Sequence, residues 1–399
     1  MENKKISELA KQIRGVSYKP SDLHTKLDSQ SVILLRANNI SDGLINFDDV
    51  VYVDKCKVSQ NQYLRDGDIL ICASSGSKHL VGKAAAFHSQ IDCTFGAFCK
   101  VVRPHSDLID YLEVYFQSHI YRKKISEVAM GANINNIRNE HIDALELPVG
   151  CPEENATFTK TVHAIMKIIR VRQQQLKKLD ELVKSRFIEL FGDPETNPHE
   201  FMVVSLQALI ERSMITYHLD GNHGGDYPRS EEFTITGVPY IGANCIVDGR
   251  IDFSIAKHLP PERANRLRKG IAQHGDVLFA HNATVGPVVV LETQEPKVIL
   301  STSLTAYRCN TESINPYYLS AYMRSDGFVR QYSAEMKQTT RNQVPITAQK
   351  KYLFMIPPIE QQEQFAAFVE QTDKSKFVIQ QALDKAQLLF DSLMQKNFG

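Results

Sequence analysis

The sequence lacks the features that mark membrane, secreted and zinc-binding chains. No apolar run approaches the ~18 residues that a membrane-spanning helix requires, and the first residues form no apolar signal segment. The seven cysteines are an odd number, and none belongs to a Cys-x-x-Cys pair. This pattern excludes a regular disulfide framework and a structural zinc site. We therefore expect a cytoplasmic protein that does not enter a membrane.

The chain also lacks an excess of charge of either sign. Lys and Arg together number 46, as do Asp and Glu, so the formal net charge is zero. This balance excludes the strongly basic composition of a protein that binds nucleic acid by charge alone. With 399 residues, 43% of them hydrophobic and 23% charged, the chain has the length and composition of two globular domains.

Most catalytic motifs are absent as well. The sequence has no Gly-x-Ser-x-Gly elbow, no His-Glu-x-x-His pair and no glycine-rich cofactor loop. The segment 76–84 has the outline of a phosphate-binding loop, but five residues separate Gly76 from Gly82, and Ala84 follows Lys83. The phosphate-binding pattern needs four residues there and Ser or Thr after the lysine. We predict no nucleotide site and no catalytic histidine.

One catalytic alternative stays open. Asp276, Glu295 and Lys297 supply two carboxylates and an ammonium group, which are the groups that a metal-dependent nuclease uses. The first half of the chain keeps the matching Gly67-Asp68 but has no Glu-x-Lys after it. A Gly-Asp turn that enters a strand explains the shared pair more simply, so no metal ligand is predicted.

What the chain does contain is a long internal repeat. Segment Gly67–Leu70 returns as Gly275–Leu278, and the pattern of Ala37–Phe47 returns at Ala243–Phe253. The following residues recur 207 positions later: Gln173, Gln174, Leu176, Lys178, Leu182, Ser185, Phe191 and Gly192. This period exceeds the ~20–50 residues of a solenoid repeat. We predict two similar domains, at 1–150 and 196–358, each followed by a helical segment, at 151–195 and 359–399.

The residue pattern within each half predicts an α+β fold. Short runs rich in β-branched residues at 31–35, 68–72 and 286–291 predict strands, and 108–128 and 317–336 have a helical apolar rhythm. Heptad spacing over 162–190, and again 207 residues later, predicts two long helices that pair with each other. The first would be roughly 40 Å long. The residues predicted to pair the helices are Ile165, Ile169, Leu176, Leu179, Val183, Ile379, Leu383, Ala386, Phe390 and Leu393.

This order of parts resembles the specificity subunit of type I restriction–modification systems, over essentially the whole chain. The most specific stretches are Ile356–Gln362, the two Gly-Asp-(Ile/Val)-Leu runs, and the glycine loops 74–83 and 281–286. The resemblance implies two target-recognition domains that each read half of a split DNA sequence. It also implies an antiparallel coiled coil between them and a pseudo-two-fold symmetric chain.

The resemblance also implies partners and cofactors. Double-stranded DNA, two methyltransferase subunits and restriction subunits would bind this chain, which itself would be non-catalytic. S-adenosylmethionine, ATP and Mg would be bound only by those partner subunits. Two other interpretations remain open: the nuclease built on Asp276, and a coiled-coil scaffold whose domains bind proteins rather than DNA.

The repeat itself nominates residues that contact DNA. Polar loops that differ at matched positions are the candidates, since Asn, Gln and Arg make bidentate contacts with base edges. In the first half the candidates are Ser75, Ser77, Lys78, His79, Lys83, Asn133, Asn135 and Arg138. In the second half they are Asn282, Thr284, Gln338, Thr339, Arg341 and Asn342. The cations expected at backbone phosphates are Arg263, Arg266, Arg268 and Lys269.

Overall fold

The chain folds into two units. The computed structural model describes residues 1–41, 43–131, 136–336 and 342–399, with the side chains of residues 78, 128–131, 334 and 335 left aside. The first unit comprises residues 1–174 together with 380–399, and the second comprises residues 175–379. Within the described chain, no helix is both long enough and apolar enough to cross a membrane.

The first unit is built on two four-stranded sheets. Its strands are β1 (Glu2–Lys5), β2 (Ala10–Arg14), β3 (Leu23–His24), β4 (Ser31–Leu35), β5 (Ile40–Ser41), β6 (Leu44–Ile45), β7 (Val51–Asp54), β8 (Ile69–Cys72), β9 (Ala84–Ala86), β10 (Cys93–Phe95), β11 (Cys99–Pro104) and β12 (Glu146–Val149). One sheet has the order β2-β11-β8-β9 and the other β10-β4-β7-β3. The pairs β1-β12 and β5-β6 form short ladders beside them.

The second unit repeats this construction. Its strands are β13 (Met202–Ser205), β14 (Ile215–Asp220), β15 (Val238–Ile241), β16 (Ile246–Val247), β17 (Arg250–Ile251), β18 (Lys257–Leu259), β19 (Ile271–Ala272), β20 (Val277–Asn282), β21 (Thr284–Val290), β22 (Val298–Leu300), β23 (Leu304–Cys309) and β24 (Leu353–Ile356). The order β14-β23-β20-β21 matches β2-β11-β8-β9, and the parallel pair β15-β22 matches β4-β10. The outermost strands of these sheets lie at opposite edges, since β3 joins β7 in the first unit whereas β19 joins β22 in the second.

Helices of two lengths complete the units, so the α+β prediction is confirmed. The short ones are α1 (Ile6–Leu9), α2 (Ile109–Gln117), α3 (His119–Gly131), α4 (Asn139–Asp143), α6 (Leu206–Glu211), α7 (Pro261–Arg266), α8 (Pro316–Met323), α9 (Asp326–Met336) and α10 (Ile346–Gln349). The long ones, α5 (Pro152–Phe191) and α11 (Ile359–Phe398), have 40 residues each. That corresponds to a length of about 60 Å, against roughly 40 Å for the heptad stretch 162–190 alone. Gly192, at φ +71°, ends α5 in the left-handed conformation that favours glycine.

The two long helices pair in the antiparallel sense within each unit. In the first unit, Val162 near the start of α5 shares a core with Phe390 and Met394 near the end of α11. In the second unit, Phe187 near the end of α5 shares a core with Val369 near the start of α11. The ten residues predicted to pair the helices are all buried or half-buried.

An aromatic cage holds the end of α11 in the first unit. The ring of Phe398 lies edge-on to Tyr111, Tyr115 and Phe158, at centroid distances of 5.4, 5.2 and 5.6 Å. The Tyr111 hydroxyl donates to the Pro148 carbonyl oxygen at 2.5 Å. The cage thus joins α2, α5 and α11 to the end of β12.

The second unit contains the same cage around the end of α5. Phe191 packs against Tyr318 at 4.8 Å and Phe365 at 5.7 Å. The Tyr318 hydroxyl donates to the Met355 carbonyl oxygen at 2.7 Å. Each of these four residues stands 207 positions from its counterpart, so the repeat includes the packing that seats the helix ends.

Each central sheet also contains a buried ion pair. The Asp68 carboxylate is 1% exposed and accepts from Arg103 Nε at 2.7 Å and Nη2 at 2.6 Å. Asp276 is fully buried and accepts from Arg308 through the same two nitrogens, both at 2.8 Å. Since both pairs join matched strands, they fix the same register in both units.

Candidate nucleic-acid interface

In the first unit the structure brings the two predicted loops together. The loop that follows β8 runs beside the segment that leads into α4. The Ile137 amide donates to the Ala73 carbonyl oxygen at 2.7 Å, and Ser74 and Asn136 form an antiparallel bridge. We call residues 73–83 and 136–138 the paired loops of the first unit.

The second unit has an equivalent arrangement. The Val344 amide donates to the His281 carbonyl oxygen at 2.8 Å. The Ala283 amide donates to the Asn342 carbonyl oxygen, and the Asn342 side-chain amide donates back to the Ala283 carbonyl oxygen, both at 3.0 Å. Ala283 sits at φ +65° in the tight turn between β20 and β21. We call residues 281–286 and 342–344 the paired loops of the second unit.

The backbone of the two sets of loops matches, but the side chains do not. The bond from Ile137 to Ala73 in the first unit is the bond from Val344 to His281 in the second. A small apolar side chain at Ala73 therefore corresponds to an imidazole at His281. A shared frame with different polar groups is the arrangement expected of two readers with different targets.

The nominated residues of the first unit lie on its paired loops. Ser77, His79 and Arg138 are exposed, while Ser75 and Lys83 are half-buried. The side chain of Lys78, and residues Asn133 and Asn135, lie outside the described part of the chain. Their contact with DNA stays a prediction.

The nominated residues of the second unit fall into two groups. Thr284 and Asn342 are exposed and Asn282 is half-buried on the paired loops. Arg266, Arg268 and Lys269 are exposed at and after the end of α7. Gln338, Thr339 and Arg341 lie outside the described residues.

Arg263, the fourth cation expected at a backbone phosphate, has partners within the protein. Its guanidinium pairs with Glu232 at 2.5 Å and donates to the Asp226 carbonyl oxygen at 3.1 Å. A carboxylate neutralises this charge, so Arg263 differs from its exposed neighbours. We therefore remove it from the set of phosphate contacts.

The exposed cations lie beside the edge strand β14. The Asn222 side chain donates to the Lys269 carbonyl oxygen at 2.6 Å, and the Leu300 amide donates to the Gly270 carbonyl oxygen at 2.7 Å. A Cβ at Gly270 would lie 2.8 Å from Gly221 Cα. The segment that carries Arg268 and Lys269 is thus held against the residues that follow Asp220.

A buried polar network supports the paired loops of the second unit. Gln349 Oε1 accepts from the Tyr307 hydroxyl at 2.6 Å and is 3.1 Å from His218 Nε2. Gln349 Nε2 donates to Thr305 Oγ1 at 3.2 Å, and His281 Nδ1 donates to the Val344 carbonyl oxygen at 2.9 Å. Burial lowers the pKa of His218 to about 4, and burial also lowers the pKa of His281. Both imidazoles are therefore neutral near pH 7.

In the first unit, different residues form the polar network that supports the paired loops. Gln12 takes the place of His218, and its Nε2 donates to Asp143 Oδ1 at 2.6 Å and to the Asn139 carbonyl oxygen at 2.9 Å. Lys100 donates to the Asn139 side-chain oxygen. Burial, and then the neighbouring charge of Arg14, lower the pKa of Lys100. Sequence reasoning missed this layer because its residues are single polar positions on strands and short helices, and such positions carry no motif.

The geometry does not favour the nuclease alternative. Arg308 engages both oxygens of Asp276, and one of them also accepts from the Gln273 amide at 2.9 Å. Lys297 donates to the Asn265 side chain. Over the described ranges of the chain, no three His, Cys, Asp or Glu residues are grouped to hold a metal ion. Asp276 has a structural partner, as Asp68 does.

Comparison with known proteins points to one family. Residues 218–387 match the family model of the type I restriction modification DNA specificity domain. The type I restriction enzyme EcoKI specificity subunit of Escherichia coli K12 is 25% identical, over 98% of this chain and 87% of that protein. The StySPI specificity subunit of Salmonella potsdam is 33% identical, over 45% of this chain and 39% of that protein.

Solved structures share the fold over the whole chain. The S subunit of a type I restriction-modification system from M. genitalium gives a TM-score of 0.60 at 13% identity, covering 100% of this chain and 96% of that one. A chain from a study of complex assembly in the type I R-M system gives 0.50 at 17% identity, covering 100% and 97%.

Proposed function

We propose that the chain is a specificity subunit of a type I restriction–modification system and that it reads a bipartite DNA sequence, one half-site with the paired loops of each unit. The observation that carries this proposal is the matched bond from Ile137 to Ala73 and from Val344 to His281. It places two different sets of polar side chains on one backbone frame. Direct readout needs such groups at base edges, while phosphate contacts only position the protein.

We assign this chain no catalytic step. The groups that resemble a metal site, Asp276 and Lys297, are engaged by Arg308 and Asn265. Methyl transfer and DNA cleavage would belong to methyltransferase and restriction subunits that assemble on this chain. S-adenosylmethionine, ATP and Mg would be bound by those subunits. The chain would determine the DNA sequence at which those subunits act.

The long helices supply a surface for the methyltransferase subunits. The first unit exposes Val171 on α5 and Leu389 on α11, at 42% and 51%. The second unit exposes Val378 on α11 and Leu182 on α5, at 64% and 48%. Val378 lies 207 positions after Val171, and Leu389 lies 207 positions after Leu182, so both units expose the same two positions of the repeat. A duplicated apolar surface suits two copies of one partner subunit.

A selection experiment tests the reading of DNA. The complex of this chain with its methyltransferase subunit would be used to select duplexes from a randomised library, and we expect one split sequence. Asn342→Ala should relax base preference in one half of that sequence only. Arg268→Ala should weaken binding to all sequences and reduce the salt dependence by about one counterion. Lys374→Ala, an exposed lysine on α11, serves as the control for loss of charge.

Subunit counting tests the docking surface. Native mass measurements should give two methyltransferase subunits per chain for the wild type. Leu182→Lys or Leu389→Lys alone should leave one, and the double variant none. Two subunits retained by the double variant would remove the helices from the docking surface while leaving the DNA-reading proposal intact.

A further inference from the structure

Each unit has a glycine at the same place, directly after the edge strand of its central sheet. A Cβ on Gly15 would lie 2.1 Å from the Gly96 carbonyl oxygen, and one on Gly221 would lie 2.3 Å from the Ser301 carbonyl carbon. No side chain fits at either place, since real Cβ contacts do not fall below about 3 Å. Both sites therefore require glycine. The residue before it is Arg14 in the first unit and Asp220 in the second.

Strand register confirms that these two residues are equivalent. Arg14 lies opposite Lys100 on β11, and Asp220 lies opposite Thr305 on β23. Two residues before Lys100, the Phe98 carbonyl oxygen accepts from the Ala73 amide at 2.9 Å.

The second unit repeats this bond. Two residues before Thr305, the Ser303 carbonyl oxygen accepts from the His281 amide at 3.0 Å. Arg14 and Asp220 therefore stand at the end of the sheet where the paired loops begin.

In the first unit this position presents hydrogen-bond donors. Arg14 is exposed, and within the described residues no carboxylate pairs with its guanidinium. Lys100 lies directly across the ladder, an arrangement that costs free energy because like charges oppose each other. A ligand with acceptor atoms offsets that cost. The guanidinium fork suits a pair of acceptors, such as O6 and N7 of guanine.

In the second unit the same position presents an acceptor. The Asp220 carboxylate, 9% exposed, accepts from His223 Nε2 at 2.7 Å, while the His223 side chain is 57% exposed. Because Nε2 donates to the Asp220 carboxylate, the matching neutral tautomer has an acceptor at Nδ1. Such an acceptor suits the exocyclic amine of cytosine or adenine.

We propose that the residue before the matched glycine sets the hydrogen-bonding character of the base that each unit reads. Arg14 in the first unit selects the acceptor edge of guanine. Asp220, through His223, selects an exocyclic amine in the half-site of the second unit. This inference rests on the proposed function and adds residues on strands to the loops already nominated.

Base preference in the selected duplexes tests the inference. Arg14→Gln should reduce the preference for guanine at one position of one half-site by roughly ten- to a hundredfold, because it removes the guanidinium fork. Asp220→Asn and His223→Ala should each reduce the preference for cytosine or adenine at one position of the other half-site by about tenfold or more. Lys11→Gln on the same strand, and Asp226→Asn, are the charge-matched controls and should change neither.

Two outcomes overturn the inference. Uniform weakening across all sequences with a smaller salt dependence would make Arg14 a phosphate contact only. Unchanged base preference in the folded variants would remove these positions from recognition. Failure of the wild-type complex to select any split sequence would instead overturn the proposed function, so the two failures are distinguishable.

Discussion

At the scale of single residues, two buried carboxylates each form an ion pair with one arginine. Asp68 and Asp276 are almost fully buried and are each held by an arginine on the neighbouring strand. The turn residues Gly67 and Gly275 place them there, at φ +81° and +87°. Removing one partner from such a pair leaves a charge without water or a counterion. This structural role explains why the Gly-Asp motif recurs in both units.

Arg308→Met is expected to lower the free energy of unfolding of the second unit by about 3–5 kcal/mol, because it leaves the buried Asp276 carboxylate without a counterion. Denaturant unfolding with a probe in the second unit measures this. Arg330→Met removes an arginine from an exposed pair with Glu195 and should cost under about 1 kcal/mol. Equal effects of the two substitutions would contradict a structural role for the buried pair.

The imidazole of His218 makes the stability of the second unit depend on pH. Burial lowers its pKa in the folded chain to about 4, against 6.5 for an ordinary histidine. The unfolded state therefore binds the extra proton between these values, and stability falls as the pH drops from 6.5 towards 4. The loss is about 3 kcal/mol. His218→Gln, which copies Gln12 of the first unit, should flatten this dependence, and the exposed His199→Gln should leave it unchanged.

At the scale of elements, the long helices show how far the sequence predicts the fold. Heptad spacing covers only 162–190, whereas α5 begins at Pro152, near the start of the helical segment predicted at 151–195. The first turns of α5 do not show the apolar heptad pattern, because two of their buried positions are polar. Asn155 and Thr159 are 6% and 4% exposed. Asn155 Nδ2 donates to the Gly150 carbonyl oxygen at 3.2 Å, which anchors the helix start to the preceding strand.

The end of α11 provides a prediction at this scale. Phe398→Ala empties the aromatic cage of the first unit and should cost about 3–5 kcal/mol. Leu388→Ala, on the same helix but 72% exposed, should cost less than about 0.5 kcal/mol. Thermal unfolding followed by a probe in the first unit compares the two. A small loss for Phe398→Ala would mean that the helix end does not support the unit.

The candidate site was only partly predictable for a related reason. The loops at 74–83 and 281–286 are found from sequence because they are polar, short and different at matched positions. Arg14 and Asp220 are not found, since each is a single polar residue on a strand. Only strand pairing places them beside the loops, and pairing between residues about 85 positions apart leaves no local signal.

At the scale of the whole molecule, the chain is a duplication, and we propose that each copy reads one half-site and docks one partner subunit. The two units share sheet order, buried ion pairs and aromatic cages, while they differ in the polar groups at the paired loops. A zero net charge suits a subunit that reads base edges while partner subunits contribute phosphate contacts. In this proposal, the parts that match between the two units build the frame, and the parts that differ select the target.

Base-resolution methylation mapping tests this account most directly. Cells that produce the chain with its methyltransferase subunit should carry methylated bases in both halves of one split motif. Asn342→Ala should broaden one half of the motif and leave the other unchanged. Unmodified DNA in cells with an active methyltransferase subunit, or equal broadening of both halves, would contradict the claim that each unit reads its own half-site.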